Sequence, residues 1–302
     1  MKYLFIINPV AGKNNKVTNY VQKIQKLGKK LKLQYTIHIS ESGEGIRKYL
    51  ETFCRDELDP IRVYALGGDG TLSHVMNGCV AYEQVEIGVI PLGTGNDFIR
   101  NFTEKEDVYK SLEKQIMGQS NRMDLIAFDG EYCVNMVNIG LDASVAMDMP
   151  RFKKLPLVSR KGAYNLSLFY NLLKRLGRYM EIYADDKLIY NGEVALCAIG
   201  NGSSCGGGFY LTPDAKVDDG WLDVTYVLVP PKVVLPTILK HLAEGVQFEM
   251  MPTKRYMKKI RCKKVRIVTK KKMALVNDGE LYTIEDCTFE VVEKVVSFIR
   301  PQ

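Results

Sequence analysis

From Tyr3 to Met117 short apolar runs alternate with longer segments whose apolar residues recur at helical spacing. The strand candidates are Tyr3–Ile7, Tyr35–Ile39, Ile61–Leu66 and Val85–Ile90. The helix candidates are Lys16–Leu31, Ile46–Cys54, Thr71–Tyr82 and Val108–Met117. In the first of these, Val17, Tyr20, Val21, Ile24, Leu27 and Leu31 share one face. A strand followed each time by a helix leaves few folds open. It predicts a parallel sheet with helices covering its faces.

After Arg122 the rhythm changes. "LIAFDGEYCVNMVNIG" reads as two strands around an Asp129-Gly130 hairpin turn. "MEIYADDKLIYNGEVALCAIGNG" reads as three strands, with turns at Asp185-Asp186 and Asn191-Gly192. "WLDVTYVLVP" and the lysine-rich stretch to Ile284 continue in short β-runs. One helix interrupts them, Tyr164–Tyr179, with Leu168, Phe169, Leu172, Leu173 and Leu176 on one side. The expected organisation is an α/β domain over 1–123 and an all-β domain, an antiparallel β-sandwich, over 124–291. The closing run "VVEKVVSFI" is open to strand or helix, and 292–302 is placed to rejoin the first domain.

Three loops leave the carboxyl ends of the proposed parallel strands, where open α/β sheets bind ligands. They are Asn8–Lys13 ("NPVAGK"), Gly67–Thr71 ("GGDGT") and Pro91–Asp97 ("PLGTGND"). Each alone reads as a tight turn, and none is a Walker A or a Rossmann fingerprint. Three at one sheet edge point to a phosphate ligand, because glycine lets backbone N–H groups approach phosphate oxygens. Asp69 sits badly beside a phosphate unless a cation such as Mg²⁺ lies between them. The competing reading is a helix N-cap.

Charge is segregated. Residues 1–40, 149–180 and 250–277 carry 27 of the 42 Lys and Arg and none of the 35 acidic residues. That pattern suits either an anionic partner or ordinary solvated edges. Seven cysteines without a C-x-x-C, and three scattered histidines, give no support to disulfides, zinc or a Ser-His-Asp triad. No apolar run approaches the roughly 20 residues of a spanning helix, and Tyr3–Ile7 is too short for a signal-peptide core. A cytoplasmic protein is expected, transiently peripheral on the inner face of the membrane. No zinc-finger or RNP-like pattern supports nucleic acid binding.

"GGDGTLSHVMNG" followed by "PLGTGNDF" resembles the catalytic domain of diacylglycerol kinases. With "NPVAGK", "LTPDAKVDDGWLDV" and "VNDGE", the chain looks like the soluble bacterial DgkB/YegS-type branch, and the resemblance runs from Asn8 to Glu280. It implies a phosphofructokinase/NAD-kinase-like nucleotide domain and transfer of the ATP γ-phosphoryl group to a lipid hydroxyl, with diacylglycerol the first candidate, in phospholipid metabolism. It implies an ATP site lined by Asn8, Pro9, Val10, Ala11, Gly12, Lys13, Ser40, Gly67, Gly68, Asp69, Gly70, Thr71, Leu72, Ser73, Gly93, Thr94, Gly95, Asn96 and Asp97. Some relatives carry valine where Gly95 stands. Asp278 matches the general base, with Glu280 beside it, and Asp69, Asp124 and Asp97 match an acidic network around catalytic Mg²⁺. Asp219, with the carbonyls of Lys216 and Trp221, matches a structural Mg²⁺ site. From its residues alone, "NDG" reads as a hairpin turn.

The implied partner is a lipid substrate at a membrane surface, reached through a basic face; a homodimer is compatible with this. Segment 151–178, with Phe152, Leu155, Leu157 and Phe169, is the best interfacial patch, unless its apolar side packs on the β-domain. The competing functions are a kinase for another lipid alcohol such as phosphatidylglycerol, an NAD kinase, and a non-catalytic nucleotide- or lipid-binding protein.

Overall fold

A computed structural model of the chain describes residues 1–9, 15–155 and 158–302, with 15, 16, 160 and 161 described by backbone only. The chain divides into two units, residues 1–125 with 293–302 and residues 126–292.

In the first unit the order is β1 (Lys2–Ile7), α1 (Asn15–Leu31), β2 (Gln34–Ile39), α2 (Gly43–Arg55), β3 (Ile61–Gly67), α3 (Asp69–Cys79) and β4 (Val85–Pro91). Two short helices, α4 (Glu106–Tyr109) and α5 (Leu112–Met117), stand where one helix over Val108–Met117 was expected. Ser111 interrupts it, and its side chain accepts the Lys114 N–H to cap the second helix. β5 (Gln119–Phe128) then begins the path into the second unit.

β1 pairs in parallel with β2 and β3, and β3 in parallel with β4. The register sets Ile7 opposite both Ile39 and Leu66, and Leu66 opposite Ile90, so the strands end level with one another. The alternation is the cause: Phe5, Ile7, Tyr64, Leu66 and Ile90 bury one sheet face against Tyr20 and Ile24 of α1. On α2 and α3, Leu50, Cys54, Val75 and Cys79 are buried.

The second unit is antiparallel. It contains β6 (Glu131–Cys133), β7 (Met136–Gly140), α6 (Leu141–Lys153), α7 (Arg160–Leu173), β8 (Arg178–Ala184), β9 (Lys187–Gly200) and β10 (Leu222–Leu228). Then follow α8 (Leu235–Glu244), β11 (Met257–Cys262), β12 (Lys264–Asn277) and β13 (Glu280–Arg300). β9 pairs antiparallel with β7, β8 and β10, and β12 with β7, β8 and β13. The core holds Ile139, Ile182, Ile199, Val265, Leu275 and Phe289.

Two expectations fail here. Asn191-Gly192 is no turn: both residues lie inside β9, paired with Glu181 and Met180. The described residues also include three helices where one was expected. α6 was hidden by its broken periodicity and by Pro150, while α8 was hidden between β-runs. β13 ends as a strand, with Ser297 and Phe298 parallel to Glu86 and Ile87 of β4.

Candidate active site

The level strand ends of the first unit gather the loops. Asn8 donates its backbone N–H to Leu66 O at 3.1 Å and its side-chain Nδ2 to Thr71 Oγ1 at 3.0 Å. Leu92 N–H donates to Gly67 O at 2.8 Å. The backbones of Gly68 and Gly93 nearly touch, since a Cβ added to Gly93 would lie 2.7 Å from Gly68 Cα. Buried Ser40, at the end of β2, donates its N–H and its hydroxyl to Ile7 O. Val10, Ala11, Gly12 and Lys13 lie outside the described residues.

Gly68, not Asp69, occupies the N-cap of α3, and no side chain caps that end. Asp69 is the first helical residue, and its Oδ1 accepts the Phe98 N–H at 3.1 Å. The acid therefore binds the third loop to the second. Burial pushes its carboxyl above the usual range, opposed by backbone N–H groups from Phe98, Asp97 and Asn96 and its own. A Cβ added to Gly95 would lie 3.2 Å from Asp97 Oδ2 and 3.3 Å from Asp69 Oδ2. Both carboxylate oxygens thus border one small space that glycine leaves open. Two carboxylates with room between them fit a hard divalent cation that keeps waters and takes phosphate oxygens.

Thr71, Leu72 and Ser73 are buried in the first turns of α3, while Gly70 is partly exposed. Thr94 is exposed, and Pro9 forms a turn. Asn96 has positive φ, donates Nδ2 to Gly93 O at 3.1 Å, and keeps a buried Oδ1 without a partner.

Asp124 is placed differently. It is fully buried on β5, and its Oδ1 accepts the backbone N–H of Lys294 at 2.7 Å, where β13 adopts positive φ. Among the described residues no three His, Cys, Asp or Glu side chains cluster to hold a metal ion, so Asp69, Asp97 and Asp124 are not one such group.

In the second unit Asp278 sits in the Asn277-Asp278-Gly279 turn between β12 and β13, with Asp278 and Gly279 both at positive φ. Its carboxylate accepts three consecutive backbone N–H groups, two from the β6–β7 loop and one from the first residue of β7. Val134 donates to Oδ2 at 2.6 Å, Asn135 to Oδ1 at 3.0 Å and Met136 to Oδ1 at 3.2 Å. Cys133 Sγ lies 3.4 Å from Oδ1. Burial pushes the carboxyl up to about 6, and these donors restrain the rise. Most donors crowd Oδ1, so Oδ2 keeps room to accept another proton. Glu280 is exposed at the start of β13.

Asp219 accepts the Trp221 N–H at 3.2 Å through Oδ1 and pairs through Oδ2 with Arg261. The Trp221 ring lies under Arg261 and Lys263, and Lys216 is exposed on the same loop. Asp219 thus already has a cationic side chain beside it at the position where the resemblance implies a metal ligand.

Sequence reasoning missed the β6–β7 loop as the holder of Asp278. It also missed Asn138, Asp142 and Tyr164, whose side chains meet nearby on the same unit. A signal existed: "NIGLDASV" sets a strand, a glycine and a helix-opening acid in the same order as "ALGGDGTL".

The class follows from comparison with known proteins. Residues 2–128 match the diacylglycerol kinase catalytic domain, and residues 135–300 match the YegS C-terminal NAD kinase beta sandwich-like domain. The chain belongs to the diacylglycerol kinase catalytic-domain family, in its DgkB/YegS-type branch. It is thereby a phosphotransferase with an alcohol group as acceptor. It is 31% identical over 246 residues to "Probable lipid kinase YegS-like" of Shewanella frigidimarina, covering 80% of this chain and 76% of the relative. It is 28% identical over 277 residues to "Diacylglycerol kinase" of Bacillus subtilis, covering 91% and 88%. The fold is similar to the crystal structure of a diacylglycerol kinase from Bacillus anthracis, with a TM-score of 0.71 at 21% identity over 99% of this chain and 96% of the other. Yeast NADH kinase shares the fold more distantly, with a TM-score of 0.53 at 11% identity over 100% and 84%.

Proposed function

We propose that the chain transfers the γ-phosphoryl group of ATP, with Mg²⁺, to the hydroxyl of an acylglycerol such as diacylglycerol or of another lipid alcohol. The observation that carries this reading is the space over Gly95, bordered by Asp69 and Asp97 oxygens and set among glycine loops. Phosphoryl transfer asks a protein for alignment, charge neutralisation and a base. Backbone N–H groups at Gly68–Gly70 and the positive end of α3 suit phosphate oxygens. Asn8 and Thr71 brace that turn. Mg²⁺, when bound, would neutralise phosphate charge beside Asp69 and Asp97. Asp278 takes the proton of the acceptor hydroxyl through Oδ2.

The acceptor is reached at a membrane surface. Helix α7 supports this because it is inside out. Its polar Ser167 and Asn171 are buried against α6, with Ser167 Oγ donating to Val145 O at 2.7 Å and Asn171 Nδ2 to Asp148 at 2.9 Å. Its apolar Leu166, Phe169 and Leu173 face outward, with Phe169 64% exposed. Arg151 and Lys174 flank the neighbouring Tyr170 ring. An apolar face set in an acid-free basic segment suits an anionic bilayer. Leu157 lies outside the described residues. No helix among the described residues is long and apolar enough to cross a membrane.

The test is incubation with labelled ATP and Mg²⁺, with NAD in solution and vesicles containing diacylglycerol or phosphatidylglycerol. Label in the lipid phase supports the proposal. Label in NAD alone, or in neither, overturns it.

A further inference from the structure

Strand β7 ends at Gly140, whose φ is 100° and where a Cβ would lie 2.7 Å from Ala195 O, so only glycine fits. The chain turns there into α6 and places Asp142 in the first helical turn. Asp142 Oδ1 accepts the Tyr164 hydroxyl of α7 at 3.4 Å, and the Asn138 side chain of β7 also hydrogen-bonds this carboxylate. The Gly206-Gly207-Gly208 run, all at positive φ, passes close by: a Cβ on Gly206 would lie 2.7 Å from the Tyr164 hydroxyl oxygen.

This group is continuous with the Asp278 turn. Met136, whose N–H holds Asp278, lies two residues before Asn138 on β7. Asn135, the next donor, gives its Nδ2 to Ser204 O at 2.9 Å, just ahead of the glycine run.

Asn138 is 2% exposed, yet its Oδ1 has no hydrogen-bond partner. Its amide nitrogen serves Asp142, so an acceptor is left over. Buried polar atoms are nearly always paired, and an unpaired one asks for an explanation. Burial also lifts the Asp142 carboxyl to about 6. Asn138 Oδ1 and the carboxylate are both acceptors. The complementary group is a hydrogen-bond donor.

We infer that Asn138, Asp142 and Tyr164 form a subsite for a second hydroxyl of the acceptor, beside the one that reacts at Asp278. The inference rests on the lipid-kinase reading. It ranks acceptors carrying a 1,2-diol above those with a single hydroxyl. A site that hydrogen-bonds a substrate hydroxyl rejects the analogue lacking it far more strongly than an apolar pocket discriminates by size.

The test compares monoacylglycerol with diacylglycerol, each in the same vesicles, for wild type, Asp142→Asn and Tyr164→Phe, with thermal melting as a check of fold. Wild type is expected to favour monoacylglycerol in kcat/KM by about tenfold or more. Both variants should raise KM for monoacylglycerol and bring the two acceptors together, leaving KM for ATP unchanged. A structural role alone would not change acceptor ratio while sparing ATP. Equal use of the two lipids by wild type, or an unchanged ratio in folded variants, overturns the subsite alone. A wild type that phosphorylates no lipid overturns the kinase reading and the subsite with it.

Discussion

Gly93 lies against Gly68 so closely that a methyl group on Gly93 would meet the other residue's Cα at 2.7 Å and Asn96 Oδ1 at 2.8 Å. Two loops separated by a whole helix and strand are thereby packed backbone to backbone. Gly93→Ala must push them apart. We expect a loss of about 1–3 kcal/mol in stability, typical of overpacking, and weaker ATP binding by calorimetry. Unchanged ATP affinity would mean that the approach of these loops does not shape the nucleotide site.

The Asp278 carboxyl, ordinarily at 3.8, is pushed up to about 6 by burial. As a base it must be ionised, so kcat/KM should fall about tenfold per pH unit below about 6. Stability follows the opposite course. Between 3.8 and about 6 the folded chain keeps a proton that the unfolded chain has released. Stability from this group is therefore greatest below the lower value and declines as pH rises through the window. Asp278→Asn should abolish transfer and flatten that part of the Tm profile. Retained turnover would remove Asp278 from the reaction.

Asp69 and Asp124 should separate by readout. Asp69→Asn keeps an oxygen for the Phe98 N–H, so the fold should persist while transfer drops by about 10²-fold. Asp124→Ala removes a fully buried carboxylate and the hydrogen bond it accepts from the Lys294 N–H. Its principal effect should be a loss of about 1–3 kcal/mol in denaturant melts. A stable Asp124→Ala protein without activity would return Asp124 to the catalytic group.

Phe169→Ser and Leu173→Ser should lower binding to anionic vesicles without lowering Tm, because both side chains already face out. Inserted into a bilayer, each would contribute about 1.5–3 kcal/mol. Sedimentation with vesicles at low and high salt measures the effect, and binding indifferent to both substitutions would exclude this face.

The first unit was legible because strand–helix alternation and glycine loops are local signals. Residues from 61 to 97 carry the β3 loop, α3, β4 and the last loop in one unbroken pattern. The Asp278 turn was legible as a turn for the same reason. Its donors were not, because Val134–Met136 lie more than 140 residues upstream and contribute only main chain. Helix α7 was misleading in a different way. Its apolar residues have helical spacing, but the face buried against α6 is the one carrying Ala163, Ser167 and Asn171. The basic stretch over 250–277 looked like an open charged face. In the fold Lys259, Arg261, Lys264 and Arg266 pair with Asp214, Asp219, Asp186 and Asp286.

The cradle of Asp278 also bears on how this chain can drift in sequence. Its three donors are peptide N–H groups, which every amino acid except proline supplies. A side-chain exchange at 134, 135 or 136 therefore leaves the donor itself in place, even though these side chains are buried and Asn135 also holds Ser204 O. A scan there should find proline inactive at all three positions, and small apolar exchanges at 134 and 136 active.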